Sequence, residues 1–185
     1  MSTLVTPYPP ITLEQYLERE EYSDTKSEFV DGQLYAMAGA NEPHNIIAGN
    51  IVFALQLATR ATEKRCRIMQ SDMKVVIATT PPVSYYPDIV VVCDPTDDTK
   101  NFKTRPCLLV EVLSGRTDKT EKKTNYQRID SLKAYMIVHQ DQQLVELYRQ
   151  QPNGTWQLER YGAGDSLELP CPSTTLRLEQ IYEGL

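Results

Sequence analysis

The sequence predicts an α/β fold, and three observations carry that prediction. In "PHNIIAGNIVFALQLATRATEKR" the apolar residues Ile47, Ile51, Ala54, Leu55 and Ala58 recur at a helical period, as a helix packed on a sheet requires. "CRIMQSDMKVVIA" and "YYPDIVVVC" are rich in β-branched residues, which marks strands, and "PCLLVEVLS" is apolar at consecutive positions, which marks a strand covered on both faces. No internal repeat, low-complexity tract or flexible linker interrupts the 185 residues, so one domain spanning 1–185 is expected.

Each element follows in order. Thr12 is an N-cap for "LEQYLERE", with Gln15 at the third helical position and Leu13, Tyr16 and Leu17 on one face, so a short amphipathic helix opens the fold. In "SEFVDGQLYAMAG" Asp31-Gly32 separates two short strand-like runs, the signature of a hairpin. The long helix comes next, then "CRIMQSDMKVVIA" and "YYPDIVVVC" as two strands. The loop "DPTDDTKNFKTR" precedes the strand around Glu111, and a helix is expected from about Thr117 to Ile129. "AYMIVHQ", "LVELYRQ" and "TWQLERY" read as strands, the last two joined by a turn at Pro152-Asn153-Gly154.

Composition excludes several classes. A hydrophobic fraction of 41% beside a charged fraction of 24% belongs to a globular chain, not a disordered one. Cys66, Cys93, Cys107 and Cys171 include no C-x-x-C pair, so zinc and thioredoxin-like chemistry find no support in the sequence, and Cys93 and Cys107 read as core residues. The N-terminus lacks a basic segment followed by an apolar one, and no apolar run approaches the ~20 residues of a bilayer span. The expectation is a cytoplasmic protein with no membrane partner. A net charge of −6 supplies no overall cation excess for phosphates, although "RTDKTEKK" is locally basic.

Chemistry concentrates around one charge. Glu111 interrupts "LLVEVL", where a strand covered on both faces desolvates it, so it needs a cation, a metal or hydrogen-bond donors. Asp88 follows Pro87 at the start of the neighbouring apolar strand, and two such strands would bring the carboxylates together. Paired acidic oxygens suit a hard divalent ion such as Mg²⁺. Asp118, Lys122, Tyr126 and Ile129 share a helix face that carries Lys122 inward, whereas Lys123 falls on a more solvated face. Glu28 opens the hairpin, and His44 begins the long helix, where a helix N-terminus favours an anion or a neutral imidazole. His44 and His139 are the sole histidines, no G-x-S-x-G elbow exists and no glycine-rich phosphate loop is present.

The order "EFVDGQLYAMAGANEPH", "QSDMKVVI", "YYPDIVVVCDP", "PCLLVEVLS", "RTDKTEKKTNYQRI", "SLKAYMIV" resembles the Uma2 family of the PD-(D/E)xK restriction-endonuclease-like superfamily, from about Thr12 to Tyr182. The resemblance implies a mixed central sheet flanked by helices, with Pro87-Asp88 as the PD and Glu111 as the second acid. The superfamily's usual lysine position is occupied by Leu113. Asp118, Lys122 and Tyr126 match the D-x-x-x-K-x-x-x-Y of Uma2-like helices, Glu28 matches the N-terminal acid and His44 a histidine frequent in the family. "SGRTDK" is shorter than usual, with Gly115 where proline is common.

On that resemblance Asp88, Glu111 and the carbonyl of Val112 hold Mg²⁺, with Mn²⁺ as a substitute, Lys122 orients a water or stabilises charge, and Glu28 positions a second metal or a metal-bound water. The implied function is endonucleolytic hydrolysis of DNA, and superfamily members often dimerise, so a homodimer is expected. The alternative is a nuclease-fold protein that binds nucleic acid or a partner protein without turnover.

Overall fold

The computed structural model describes residues 3–4, 9–37, 39–61, 66–113 and 120–185. A short strand β1 (Thr3–Leu4) precedes helix α1 (Leu13–Glu21), whose first turn is closed by a reciprocal capping box between Thr12 and Gln15. Strands β2 (Ser27–Val30) and β3 (Gln33–Ala36) form the expected hairpin. Its two-residue turn places Asp31 at φ 45° and Gly32 at φ 87°, the left-handed pair that Asp-Gly supplies at low cost. Helix α2 (Glu42–Arg60) is capped by Asn41, whose Oδ1 accepts from the His44 N–H at 3.1 Å.

The chain then lays down β4 (Arg67–Gln70), β5 (Lys74–Ile77), β6 (Val83–Tyr85), β7 (Ile89–Val92), the short β8 (Phe102–Lys103) and β9 (Leu108–Leu113). Helix α3 (Thr120–Tyr126) follows, then β10 (Ala134–His139), β11 (Leu144–Gln150) and β12 (Trp156–Gly162). A hairpin of β13 (Ser166–Pro170) and β14 (Ser173–Arg177) leads into α4 (Leu178–Ile181).

The fold is α/β with mixed sheets flanked by helices. Among the described residues its strands divide into two six-stranded sheets, ordered β1-β3-β2-β6-β5-β8 and β12-β11-β10-β9-β7-β4, and the two-stranded sheet β13-β14. Each six-stranded sheet contains one parallel pair, β5 with β8 and β9 with β10. The run "CRIMQSDMKVVIA", expected as one strand, is two: Ser71 at φ 63° turns the chain between β4 and β5 and sends them into different sheets. The expected loop before Glu111 holds β8, and the hairpin β13–β14 with α4 adds elements beyond those expected. Helix α3 ends at Tyr126 rather than Ile129, and Thr117, Asp118 and Gly115 lie outside the described residues.

Strand β9 is buried along its whole length, as its unbroken apolar run predicts. Leu108, Val110 and Val112 join a core with Ile47, Ile51 and Leu55 of α2. Leu109 and Leu113 face the other way, into a core with Tyr85, Tyr126 and Tyr135. Alternation along the strand therefore turns Glu111 toward the tyrosine-rich side. Among the described residues no helix is long and apolar enough to cross a membrane.

Candidate active site

The register of β7 and β9 makes the acid pair. Ile89 lies opposite Val110 in this antiparallel pairing, so one step along the register brings Asp88 beside Glu111. A hydrogen bond fixes that position: the Val112 N–H donates to Oδ2 of Asp88 at 2.7 Å. The other Asp88 oxygen, Oδ1, lies 3.0 Å from Nε2 of His44. The hydrogen bond to Asp88 raises the His44 pKa against the opposing effect of burial. Nδ1 of His44 is buried, with no hydrogen-bond partner among the described residues.

Glu111 is 4% exposed, and its Oε1 accepts from the Tyr126 hydroxyl at 2.9 Å and lies 3.3 Å from Lys122 Nζ. Burial pushes its carboxyl up to about 7, Lys122 opposes that rise, and the neighbouring Asp88 and Glu28 add to it. Lys122 also donates to Oε1 of Glu28 at 2.7 Å. Burial alone would lower the Lys122 pKa, but the two carboxylates outweigh it and hold the ammonium above its usual range. Desolvation raises the Tyr126 hydroxyl well above its usual value, with Glu111 adding to the effect, so this hydroxyl stays a donor.

Glu28, Asp88, Glu111, Val112 and Lys122 thus line one cleft, together with His44, with a volume of about 900 Å³. Its size matches an ordinary ligand site. The lysine that reaches the acids is Lys122, whose side chain is 22% exposed. Lys123 instead places Nζ 5.1 Å from the Tyr148 ring centre, a cation–π contact away from the acids.

A supporting layer was not singled out from sequence. Oε1 of Glu28 also accepts from the Tyr86 N–H at 3.3 Å, and the Tyr86 hydroxyl donates to Glu20, which in turn accepts from the Ser27 N–H. Glu20 on α1 therefore braces the strand that carries Glu28. The Tyr85 hydroxyl donates to Glu121 at 2.8 Å and accepts from Asn125 at 2.7 Å, while Lys122 Nζ lies 5.4 Å from the Tyr85 ring centre. The available signal was "YYPD", two aromatics with polar tips directly before the acid.

The donor set fits a hard divalent cation, since Asp88, Glu111 and the Val112 carbonyl offer oxygen only. The buried Glu111 carboxyl, raised by desolvation and by a second acid beside it, is the group that a cation would relieve.

The chain is similar to known proteins in sequence and in fold. The family model Uma2, described as "Putative restriction endonuclease", matches residues 13–179. The uncharacterized protein slr1290 of Synechocystis sp. (strain ATCC 27184 / PCC 6803 / Kazusa) is 34% identical over 183 residues, covering 97% of this chain and 95% of the relative. A second uncharacterized protein of that strain, sll1609, is 33% identical over 154 residues, covering 80% of this chain and 85% of the relative. The crystal structure of a "putative nuclease belonging to DUF820" from Anabaena variabilis ATCC 29413 superimposes with a TM-score of 0.75 at 18% identity. That match covers 94% of this chain and 98% of that one, and at such identity it speaks for the fold.

Proposed function

The chain belongs to the Uma2 family, and on that premise we propose that it is a Mg²⁺-dependent endonuclease that hydrolyses DNA phosphodiester bonds. The observation that carries this reading is the convergence of Asp88, Glu111 and Lys122 in one cleft from a strand start, a buried strand and the following helix.

Asp88, Glu111 and the Val112 carbonyl would hold the cation, for which Mn²⁺ would substitute. When bound, such a cation polarises a phosphate oxygen and lowers the pKa of an attacking water. Asp88 cannot swing away, because the Val112 N–H holds one of its oxygens and His44 contacts the other. Tyr126 and Lys122 fix Glu111 through Oε1. Lys122 brings a compact positive charge to the cleft, suited to orienting a water or to stabilising charge that develops on the phosphate. Glu28 positions Lys122 through the 2.7 Å contact and stands where a second cation or its water would be held. Cleaving both strands of a duplex calls for two such sites, which a homodimer would supply.

The test is incubation of supercoiled plasmid and of single-stranded circular DNA with the purified protein in Mg²⁺ or Mn²⁺, with and without excess chelator. Nicking that requires the cation supports the reading. A protein that retains DNA through chelation and never cuts it would instead be a binding module.

A further inference from the structure

The four cysteines, scattered along the sequence, meet in space. Cys66 stands ahead of β4, Cys93 just after β7, Cys107 ahead of β9, and Cys171 in the turn between β13 and β14. Cys66 pairs with Cys93, and Cys107 with Cys171, as disulfides. The two pairs touch: Sγ of Cys93 lies 3.2 Å from that of Cys171 and 3.5 Å from that of Cys107. The sulfurs of Cys66, Cys93 and Cys171 all lie within 4.8 Å of one another, while Cys107 is not part of that group and joins it through its contacts with Cys93 and Cys171. No carboxylate or histidine joins this group among the described residues.

The geometry points to a tetrathiolate site for one zinc ion, made by Cys66, Cys93, Cys107 and Cys171 when the chain is reduced. Two disulfides that only brace a fold have no reason to share one spot, whereas four ligands of one ion must. Tetrahedral zinc with Zn–S bonds of about 2.3 Å holds its sulfurs roughly 3.8 Å apart, close to the contacts between the pairs. Sulfurs drawn this near to one centre suit a single ion better than a multi-iron cluster, which spreads its ligands.

Strand pairing adds a second argument. Arg67 faces Val92 in the β4–β7 ladder, so Cys66 and Cys93 are direct cross-strand neighbours with Cα atoms 4.0 Å apart. That is closer than the ~4.4–6.8 Å usual for a disulfide. Side-chain rotation in the reduced chain aims both thiols at a common point without moving either strand.

The ligand set also decides the metal. All-thiolate coordination selects zinc over Mg²⁺, and a closed four-cysteine set is structural, with no open position for a substrate. Such an ion would tie β4, β7 and β9 to the C-terminal hairpin, on the core face that α2 covers. Asp88 and Cys93 flank opposite ends of β7, roughly 16 Å apart by strand rise, so this centre is separate from the carboxylate site. Opening the two disulfides takes two electrons and two protons each, supplied by a dithiol reductant, and zinc then displaces the thiol protons.

The experiment is metal analysis of the full chain, purified under reducing, oxygen-free conditions and passed through gel filtration in chelator. About one zinc per chain should remain and be released by an organomercurial. Replacement by Co²⁺ should give the intense thiolate-to-cobalt bands of a tetrahedral all-sulfur site. Cys93→Ser and Cys171→Ser should lose the zinc, while Glu111→Ala should keep it. Should either cysteine variant fail to fold, the cobalt spectrum of the unaltered chain decides. Four alkylatable thiols with no retained metal would overturn the site, as would iron with sulfide. So would cysteines found as disulfides after lysis of the cells directly into an alkylating reagent.

Discussion

The ammonium of Lys122 lies 3.3 Å from Oε1 of Glu111, although the two residues sit on different elements, a helix and the buried strand before it. The position two residues beyond Glu111 on the same strand is Leu113, which packs with Tyr126 and Tyr135. Helix α3 delivers the cation instead, because Tyr126 anchors its end in that core and carries Lys122 on the same face.

Replacing Lys122 by alanine should slow DNA cleavage by about 10²-fold or more, with divalent-metal binding retained. Lys123→Ala, whose lysine lies over Tyr148, should cleave at close to the parent rate. Single-turnover rates and metal titration calorimetry read both effects, and equal rates for the parent and Lys122→Ala would remove the lysine from the account.

Lys122→Ala should also destabilise the fold, since Glu28 and Glu111 lose their shared cation. Breaking a buried pair costs about 3 kcal/mol. The loss should be largest near pH 8 and smaller near pH 5, where Glu111 takes up a proton. Urea unfolding at the two pH values measures the difference, and a pH-independent loss would contradict it.

Without divalent metal, Glu111 itself should make stability fall as pH rises. Its folded pKa of about 7 lies above the ordinary carboxyl value of 4.5, so between those values the folded state binds more protons than the unfolded state. Stability is then fully present below pH 4.5 and is lost as pH rises through about 7. The thermal midpoint of the parent in chelator, minus that of Glu111→Gln, should decline across this window. A flat difference would mean that Glu111 is ionised throughout.

Divalent cations should raise the thermal midpoint by binding the folded state alone, and Asp88→Asn should abolish the gain. The gain should grow from pH 5 to pH 7, because a cation must displace the Glu111 proton. Thermal scans with and without Mn²⁺ test this, and an undiminished gain in Asp88→Asn would place the cation elsewhere.

Gly32→Ala should destabilise by at least about 1 kcal/mol. Gly32 sits at φ 87°, and a Cβ there would stand 2.9 Å from Cβ of Pro10. The same hairpin carries Glu28, so activity should fall in step with stability. Denaturant titration with parallel cleavage assays would show it, and unchanged stability would mean that Pro10 yields freely.

The elements that position the site were legible because each carries a local signal. Thr12 and Gln15 announce α1, Asp31-Gly32 the hairpin under Glu28, and the unbroken apolar run of β9 the burial of Glu111. What stayed hidden depends on tertiary arrangement. Gln70 to Lys74 reads as continuous strand, yet Ser71 adopts a left-handed conformation and splits it between two sheets. Tyr85 and Tyr86 look like ordinary strand aromatics until Glu121 and Glu20 arrive from distant helices. Strand β13, "SLELP", is short and ends in a proline, so its alternation is a weak local signal. Convergence of the cysteines has no trace in their spacing, since β4, β7, β9 and the last hairpin must be assembled before their sulfurs meet.

The decisive measurement is Mg²⁺- or Mn²⁺-dependent nicking of supercoiled plasmid by the parent protein and by Glu111→Ala, purified in parallel and matched for folded fraction. The parent should nick the plasmid, chelator should stop it, and Glu111→Ala should not nick at all. Equal nicking by both proteins would contradict it, because the carboxylate at the centre of the cleft would then have no part in the chemistry.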